Sequence, residues 1–307
     1  LGDPYLPSGK RVVTAEDVER TPPGELVSIP EGAVLTPLAI DLLRKRGQPV
    51  FEKSAARSPA LTPLVVANWK SYKTVAEARA FAKAFLKAAP RGRARAVVCP
   101  PFTALAGLGA ELGVAADLGA QDCSPFEEGA HTGEVAARHL VELGCRYVIL
   151  GHSERRAERG ETDELIRKKV RLALASGLKP ILCVGETAEE RAAGRTSGVV
   201  RGQLRAVLEG LDPERAGDLV VAYEPRWAIG RGVVPRDDEI VAAIADAHDE
   251  IGRVLGQGAV RVPVLYGGSV AVENAARILR LPGVGGGLVG GASLNPEGFA
   301  KLVVAAG

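Results

Sequence analysis

The sequence contains no methionine and only four cysteines, Cys99, Cys123, Cys145 and Cys183, in 307 residues. The missing methionine implies that the initiator is absent from the chain as read. No two cysteines form a CxxC pair, which argues against the usual zinc spacings. Three of the four sit in or beside apolar runs, where a free thiol packs as a small hydrophobe, so a reducing, cytoplasmic setting is expected. No apolar stretch is long enough to span a bilayer, and no N-terminal hydrophobic core follows a basic segment. A membrane partner is therefore not expected. Strong charge of either sign is lacking too: the formal net charge is +2, which gives no argument for a nucleic-acid partner. The G-x-G-x-x-G fingerprint of an open dinucleotide-binding sheet does not follow the first apolar run.

What is present is a rhythm. The chain is 46% apolar and 25% charged, as in a soluble globular enzyme. From residue 64 short apolar runs recur: "LVVANWK" (64–70), "RAVVCPP" (95–101), "VAADLGAQ" (114–121), "YVILGH" (147–152), "KPILCVGE" (179–186), "LVVAYEP" (219–225), "VPVLYGG" (262–268) and "GGGLVGG" (285–291). They are apolar throughout rather than alternating, the pattern of parallel strands buried on both faces. Charged segments with helical spacing lie between them. In 74–89, Val75, Ala78, Phe81, Ala82 and Phe85 share a stripe. In 162–177, Thr162 is placed as N-cap, Asp163 and Glu164 suit the positive helix end, and Gly177 suits the stop. Eight strand–helix alternations over 64–307 predict a closed (β/α)8 barrel, an α/β fold.

Residues 1–63 break the rhythm and read as an N-terminal extension and linker. The extension holds one helix pattern at 36–47, capped by Thr36, with Pro37 in the first turn and Gly47 at the end. Leu38, Ala39, Leu42 and Leu43 form its apolar stripe, and the segment is too small to be expected to bury a core of its own. Residues 52–63 read as a linker.

In such a barrel the active site lies at the C-terminal ends of the strands. The first run ends in Asn68 and Lys70, the fourth in His152, the fifth in Glu186 and the sixth in Glu224. The seventh runs into Gly267, Gly268 and Ser269, the eighth into Gly290 and Gly291. A lysine, an imidazole and two carboxylates thus converge on one rim. His152 opens a polar segment that reads as a helix start, where a positive charge is opposed, so its imidazole is expected to stay neutral and donate a hydrogen bond. A carboxylate base, donors aimed at a developing oxyanion and a cation suit proton abstraction next to a carbonyl, with no metal or cofactor required. Gly230, Ser269, Gly290 and Gly291 would offer N–H groups to a phosphate, the last two at the start of a helix over "ASLNPEGFAKLV". Residues 225–232 read as a lid, stiffened by Pro225, freed by Gly230 and Gly232, with Trp227 and Ile229 beneath.

"ANWK", "GHSERR", "CVGE", "YEPRWAIGRG", "YGGSV" and "LVGGASLNP", in this order at the strand ends, resemble the triosephosphate isomerase family over residues 64 to 307. The resemblance implies interconversion of dihydroxyacetone phosphate and D-glyceraldehyde 3-phosphate through an enediol. It implies Glu224 as the base, His152 as the group that polarises the carbonyl, Lys70 as binder of substrate and negative charge beside Asn68, and Glu154, next to Ser153, as an orienting group. Glu186 reads as a structural partner to a charge or as a reactant. The long loop at 119–134 reads as a surface loop from composition; the resemblance implies a homodimer arm with Thr132 near its tip.

The sequence departs from the family at Gly285 and Gly287, where a looser last strand is expected, and at Arg226 and Arg231 in the lid. Residues 29–47 are weakly similar to segments attached to bacterial microcompartment enzymes, which leaves packing on the barrel or docking to another protein as readings of the extension. Another phosphosugar enzyme and a non-enzymatic scaffold on the same barrel are the alternatives at this point.

Overall fold

The eight apolar runs all become parallel strands, and in a computed structural model of the chain those strands close on themselves. The structure describes residues 12–22, 27, 34–46, 61–88, 92–230 and 232–307. The chain divides into two compact units, 1–60 and 61–307.

In the larger unit the strands are β3 (Leu64–Asn68), β4 (Arg95–Cys99), β5 (Asp117–Ala120), β6 (Cys145–Leu150), β7 (Lys179–Val184), β8 (Val220–Tyr223), β9 (Val264–Tyr266) and β10 (Gly286–Val289). Each pairs with the next, and β10 pairs with β3 to close the barrel. The helices are α3 (Val75–Ala88), α4 (Leu105–Leu112), α5 (Ala137–Glu142), α6 (Ser153–Glu158), α7 (Asp163–Ala175), α8 (Ala188–Ala192), α9 (Thr196–Leu208), α10 (Asp237–Leu255), α11 (Val272–Ile278) and α12 (Pro296–Ala306).

The uninterrupted apolar runs are explained by two cores. Leu64, Val66, Val97, Cys99, Ile149, Ile181 and Cys183 point into the barrel and pack on one another. Their neighbours Val65, Ala67, Val98, Val148, Leu150 and Leu182 point outward into the larger cluster beneath the helices. Successive strand residues face opposite ways, so burial of both faces needs apolar side chains at every position. All four cysteines are buried free thiols.

On α3, Ala78, Phe81, Ala82 and Phe85 are buried as the spacing requires. Val75 differs: it lies in the first turn beside Gly107 and stays exposed. Thr162 caps α7 by accepting the Leu165 N–H at 3.3 Å. The last strand is paired unevenly. β10 pairs through four residues with β3 but through one, Gly287, with β9. A Cβ at Gly286 would stand 1.9 Å from the Leu64 carbonyl oxygen, and φ there is +134°, so only glycine allows the closing strand to approach β3.

In the smaller unit, β1 (Val12–Val13) leads into α1 (Ala15–Glu19), and β2 (Val34–Leu35) leads into α2 (Pro37–Lys45). The two strands pair in parallel, Val12 with Val34 and Val13 with Leu35. Thr36 accepts the Ala39 N–H at 3.3 Å. Contrary to expectation this unit has a small apolar cluster of its own: Val13, Val18, Leu35, Ala39 and Leu43. The reason is that α1 and β1 contribute side chains that the single-helix reading ignored. Leu38, assigned to the apolar stripe, is 63% exposed. Gly47 and residues 52–60 lie outside the described residues.

Candidate active site

Asn68, Lys70, His152, Glu224, Gly230, Ser269, Gly290 and Gly291, from five strand ends and the lid, line one cavity of about 180 Å³ at the C-terminal mouth of the barrel. The strands carry these side chains there because each polar residue follows the last buried apolar residue of its run. His152 is the N-cap of α6, and its Nδ1 accepts the Glu154 N–H at 3.3 Å. That bond leaves the hydrogen of a neutral ring on Nε2. Nε2 lies 3.1 Å from Glu224 Oε1, and the other Glu224 oxygen accepts the Ser153 N–H at 2.9 Å.

Burial pushes the Glu224 carboxyl up, but His152, the Ser153 N–H and Lys70 outweigh it and hold the group below its ordinary value. Burial opposes the His152 imidazolium, yet the Glu224 carboxylate, helped by Glu154, raises its pKa overall. The expectation of a neutral imidazole therefore meets two influences in this site. The Glu154 N–H favours the neutral ring, whereas the facing carboxylate favours the charged one.

Lys70 Nζ pairs with Glu154 Oε1 at 2.5 Å, and Glu154 Oε2 is 3.6 Å from His152 Nδ1. Glu154 thus touches both the cation and the imidazole. Lys70 has φ +51°, a left-handed conformation uncommon outside glycine. Two bonds hold it: Asn68 Oδ1 accepts its N–H at 3.0 Å, and the Gln121 amide donates to its carbonyl at 2.7 Å and to that of Cys99 at 2.9 Å. Gln121 is not among the site residues expected from the sequence. It closes the third apolar run, so the strand-end rule pointed to it.

Glu186 lies outside this cavity. It is buried and accepts from Trp227 Nε1 at 2.8 Å and from the Tyr223 hydroxyl at 3.2 Å. Burial raises its pKa, partly offset by these donors. Its hydrogen-bond partners among the described residues, Trp227 and Tyr223, are neutral, and Arg191 acts on it through its charge. Along the loop read as a lid, Gly230 and Gly232 have φ of +69° and +67°, and Ser269 Oγ donates to the Ala228 carbonyl at 2.8 Å. Ser153, Glu154, Trp227 and Ile229 line an adjoining cavity of about 350 Å³. Arg231 lies outside the described residues.

The N–H groups of Ser269, Gly290 and Gly291 donate to no protein acceptor among the described residues, which leaves them available to an anion. The helix expected directly after Gly291 begins later. Gly291–Ser293 is a single 3-10 turn, and α12 starts at Pro296, where Asn295 already accepts the Gly298 N–H at 2.8 Å. An anion would meet the turn, because a capping side chain occupies the helix start.

The loop between β5 and α5 is an exposed arm, closed at its base by the Ser124 N–H to the Val135 carbonyl at 2.8 Å. Phe126 and His131 stack within it at 3.6 Å between centroids. Thr132 is exposed on this arm and lines none of the cavities above. Among the described residues no group of His, Cys, Asp and Glu side chains is arranged to hold a metal ion, and no helix is long and apolar enough to cross a membrane.

The model of the family described as "Triosephosphate isomerase" matches residues 63–306. A protein of that name from Symbiobacterium thermophilum is 51% identical over 248 residues, covering 80% of this chain and 97% of the relative. Those of Roseiflexus castenholzii and Moorella thermoacetica are 48% and 46% identical, covering 79% and 78% of this chain and 96% and 97% of their own.

Proposed function

We propose a mechanism from one premise: the chain belongs to the triosephosphate isomerase family. The protein is an aldose–ketose isomerase that interconverts dihydroxyacetone phosphate and D-glyceraldehyde 3-phosphate. Glu224 takes the proton from the carbon beside the carbonyl and returns it to the neighbouring carbon, through an enediol. To do so it exchanges the Ser153 N–H and His152 for the substrate. Losing both partners in a water-excluded site lifts its pKa from the lowered value of the free enzyme, so the base gains strength when substrate is bound.

His152 presents Nε2–H to the substrate oxygens. Once Glu224 turns to the carbon, the main influence raising the imidazole weakens, and the ring polarises the carbonyl as a neutral donor. Lys70, held by Glu154, offsets the negative charge of enediolate and phosphate, with Asn68 fixing its turn. The phosphate sits on the N–H groups of Ser269, Gly290 and Gly291 and of Gly230 in the lid. Closure of the lid keeps water from an enediol that would otherwise expel phosphate.

The observation that carries these roles is the 3.1 Å approach of His152 Nε2 to Glu224 Oε1 in a cavity shared with Lys70 and Asn68. A coupled assay of glyceraldehyde 3-phosphate conversion tests them. Glu224→Asp withdraws the carboxylate by one methylene and lowers kcat about a hundredfold; unaltered turnover removes Glu224 from its role.

The same reading makes the active form a homodimer, in which the arm bearing Thr132 enters the neighbour's cavity of about 240 Å³ beside Lys70 and Arg155. Exposed Phe126, Phe102 and Tyr72 support it. A monomer by mass that keeps full specific activity on dilution overturns it. We place the enzyme in a reducing cytoplasm, which its unpaired buried thiols suit. For residues 29–47 we propose docking to another protein, such as that of a microcompartment, with exposed Leu38 in support. An unchanged location in cells after deletion of the extension overturns docking.

A further inference from the structure

We infer that Arg191 is a positioning residue that fixes the pivot of the lid. It rests on the isomerase reading above and adds a residue to it. The Arg191 guanidinium lies over the Trp227 ring, 3.8 Å from the ring centroid. Its Nη2 is 2.5 Å from Glu239 Oε1, and Glu239 also accepts the Arg236 N–H at 2.8 Å where α10 begins. The cation is therefore tethered from behind while it presses on the indole. The indole N–H is held at the same time by Glu186 at 2.8 Å, and the backbone before it by the Arg226 N–H to the Glu186 carbonyl at 3.1 Å.

Both jaws of this clamp come from one short piece of chain. Glu186 directly precedes Thr187, the N-cap of α8, and Arg191 sits within that helix. The turn is locked by a reciprocal cap: the Glu190 carboxylate accepts the Thr187 N–H at 2.8 Å and Thr187 Oγ1 accepts the Glu190 N–H at 3.2 Å. Glu186 and Arg191 therefore hold a fixed separation, and Trp227 is gripped by edge and by face.

Among the described residues the far end of the lid shows no such clamp. Gly230 and Gly232 have positive φ, and Val233 is exposed. A loop with one gripped end and one free end swings about the grip. Without Arg191 the indole keeps a single edge bond and the pivot loosens, so closure no longer brings the Gly230 N–H reproducibly to the phosphate. A bare surface cation–π contact would add stability only; a pivot also affects how well the closed site retains the enediol.

The test is Arg191→Gln and Arg191→Lys in the full chain, each measured for kcat, KM, inorganic phosphate released per turnover and acrylamide quenching of tryptophan. Trp69 is fully buried, so quenching reports Trp227. Expected for Arg191→Gln is a loss of about tenfold in kcat/KM, the scale of a well-formed cation–π contact, with more phosphate released and stronger quenching. Arg191→Lys, which keeps a charge near the ring, recovers part of each. Unchanged kinetics, phosphate partition and quenching in Arg191→Gln, even with a lower melting temperature, overturn the inference. An inactive wild-type protein would instead overturn the isomerase reading on which it rests.

Discussion

Gly185 lies so close to Glu224 that a Cβ at position 185 would stand 1.8 Å from the Glu224 carbonyl oxygen. The Glu224 N–H donates to the Val184 carbonyl at 2.7 Å, so β7 and β8 cannot part to make room without breaking a ladder bond beside the proposed base. Gly185→Ala should therefore cost about 1–3 kcal/mol of stability, the usual range for overpacking. It should also lower kcat about a hundredfold by shifting the carboxylate on the scale of an ångström. Urea unfolding and steady-state kinetics measure the two. A variant with normal kcat would show that the close approach does not set the position of Glu224.

Replacing His152 by glutamine should move the acid limb of kcat/KM to higher pH. Burial raises the Glu224 carboxyl, while His152, the Ser153 N–H and Lys70 together hold it below its ordinary value. Removing the imidazole deletes the strongest of the lowering influences and leaves burial in place. The carboxylate then needs a higher pH to lose its proton. The residual kcat/KM of His152→Gln, followed from acid to neutral pH, measures this, and a limb that stays put or moves down contradicts the pairing.

The barrel was legible because burial on both strand faces writes an unbroken apolar run, and strand ends such as Asn68, His152 and Glu224 follow each run directly. The turn after β10 was less legible: Pro296 and Asn295 mark the true start of α12, but the glycines before them drew attention to Gly291. Val75 and Leu38 were misplaced because helical spacing gives the direction of a side chain and not whether a neighbour covers it. The left-handed Lys70 left no signal, since nothing in "NWKS" distinguishes φ +51° from an ordinary turn. The core of the smaller unit was missed because two-residue strands are too short for periodicity to register.

That hidden backbone state yields a further prediction. Gln121 is the side chain that ties the Lys70 and Cys99 carbonyls together. Gln121→Ala removes both bonds and lets Lys70 relax toward an ordinary φ, drawing Nζ away from the pocket. Leaving a buried carbonyl without its donor costs about 1–3 kcal/mol, so with both bonds gone kcat/KM should fall about tenfold or more. Gln121→Glu should not rescue it, because a carboxylate cannot donate to two carbonyls. Rescue by glutamate would show that volume alone is required there.

The last prediction concerns a carboxylate remote from the chemistry. Glu250, on α10, has a side chain only 1% exposed and is surrounded by three arginines: Arg205 Nε at 2.9 Å, Arg253 Nη2 at 2.8 Å and Arg201 Nη1 at 3.9 Å. Arg201 and Arg205 belong to α9, so this one acid joins the two helices. Burial raises its carboxyl, but the bonds from Arg205 and Arg253 outweigh that and hold it below 4.5, its ordinary value. Glu250→Ala leaves the arginines without their common partner. Because all three reach solvent and rehydrate, the cost is about 1–2 kcal/mol rather than that of a sealed ion pair. A carboxyl with a lowered folded-state pKa contributes stability above its unfolded value and loses it as pH falls through the folded one. Wild type and Glu250→Ala should therefore differ fully at neutral pH and converge as the pH drops below 4.5, the ordinary value. Unfolding curves at several pH values measure the gap, and a gap that stays constant into acid would mean that Glu250 acts through packing and not through its charge.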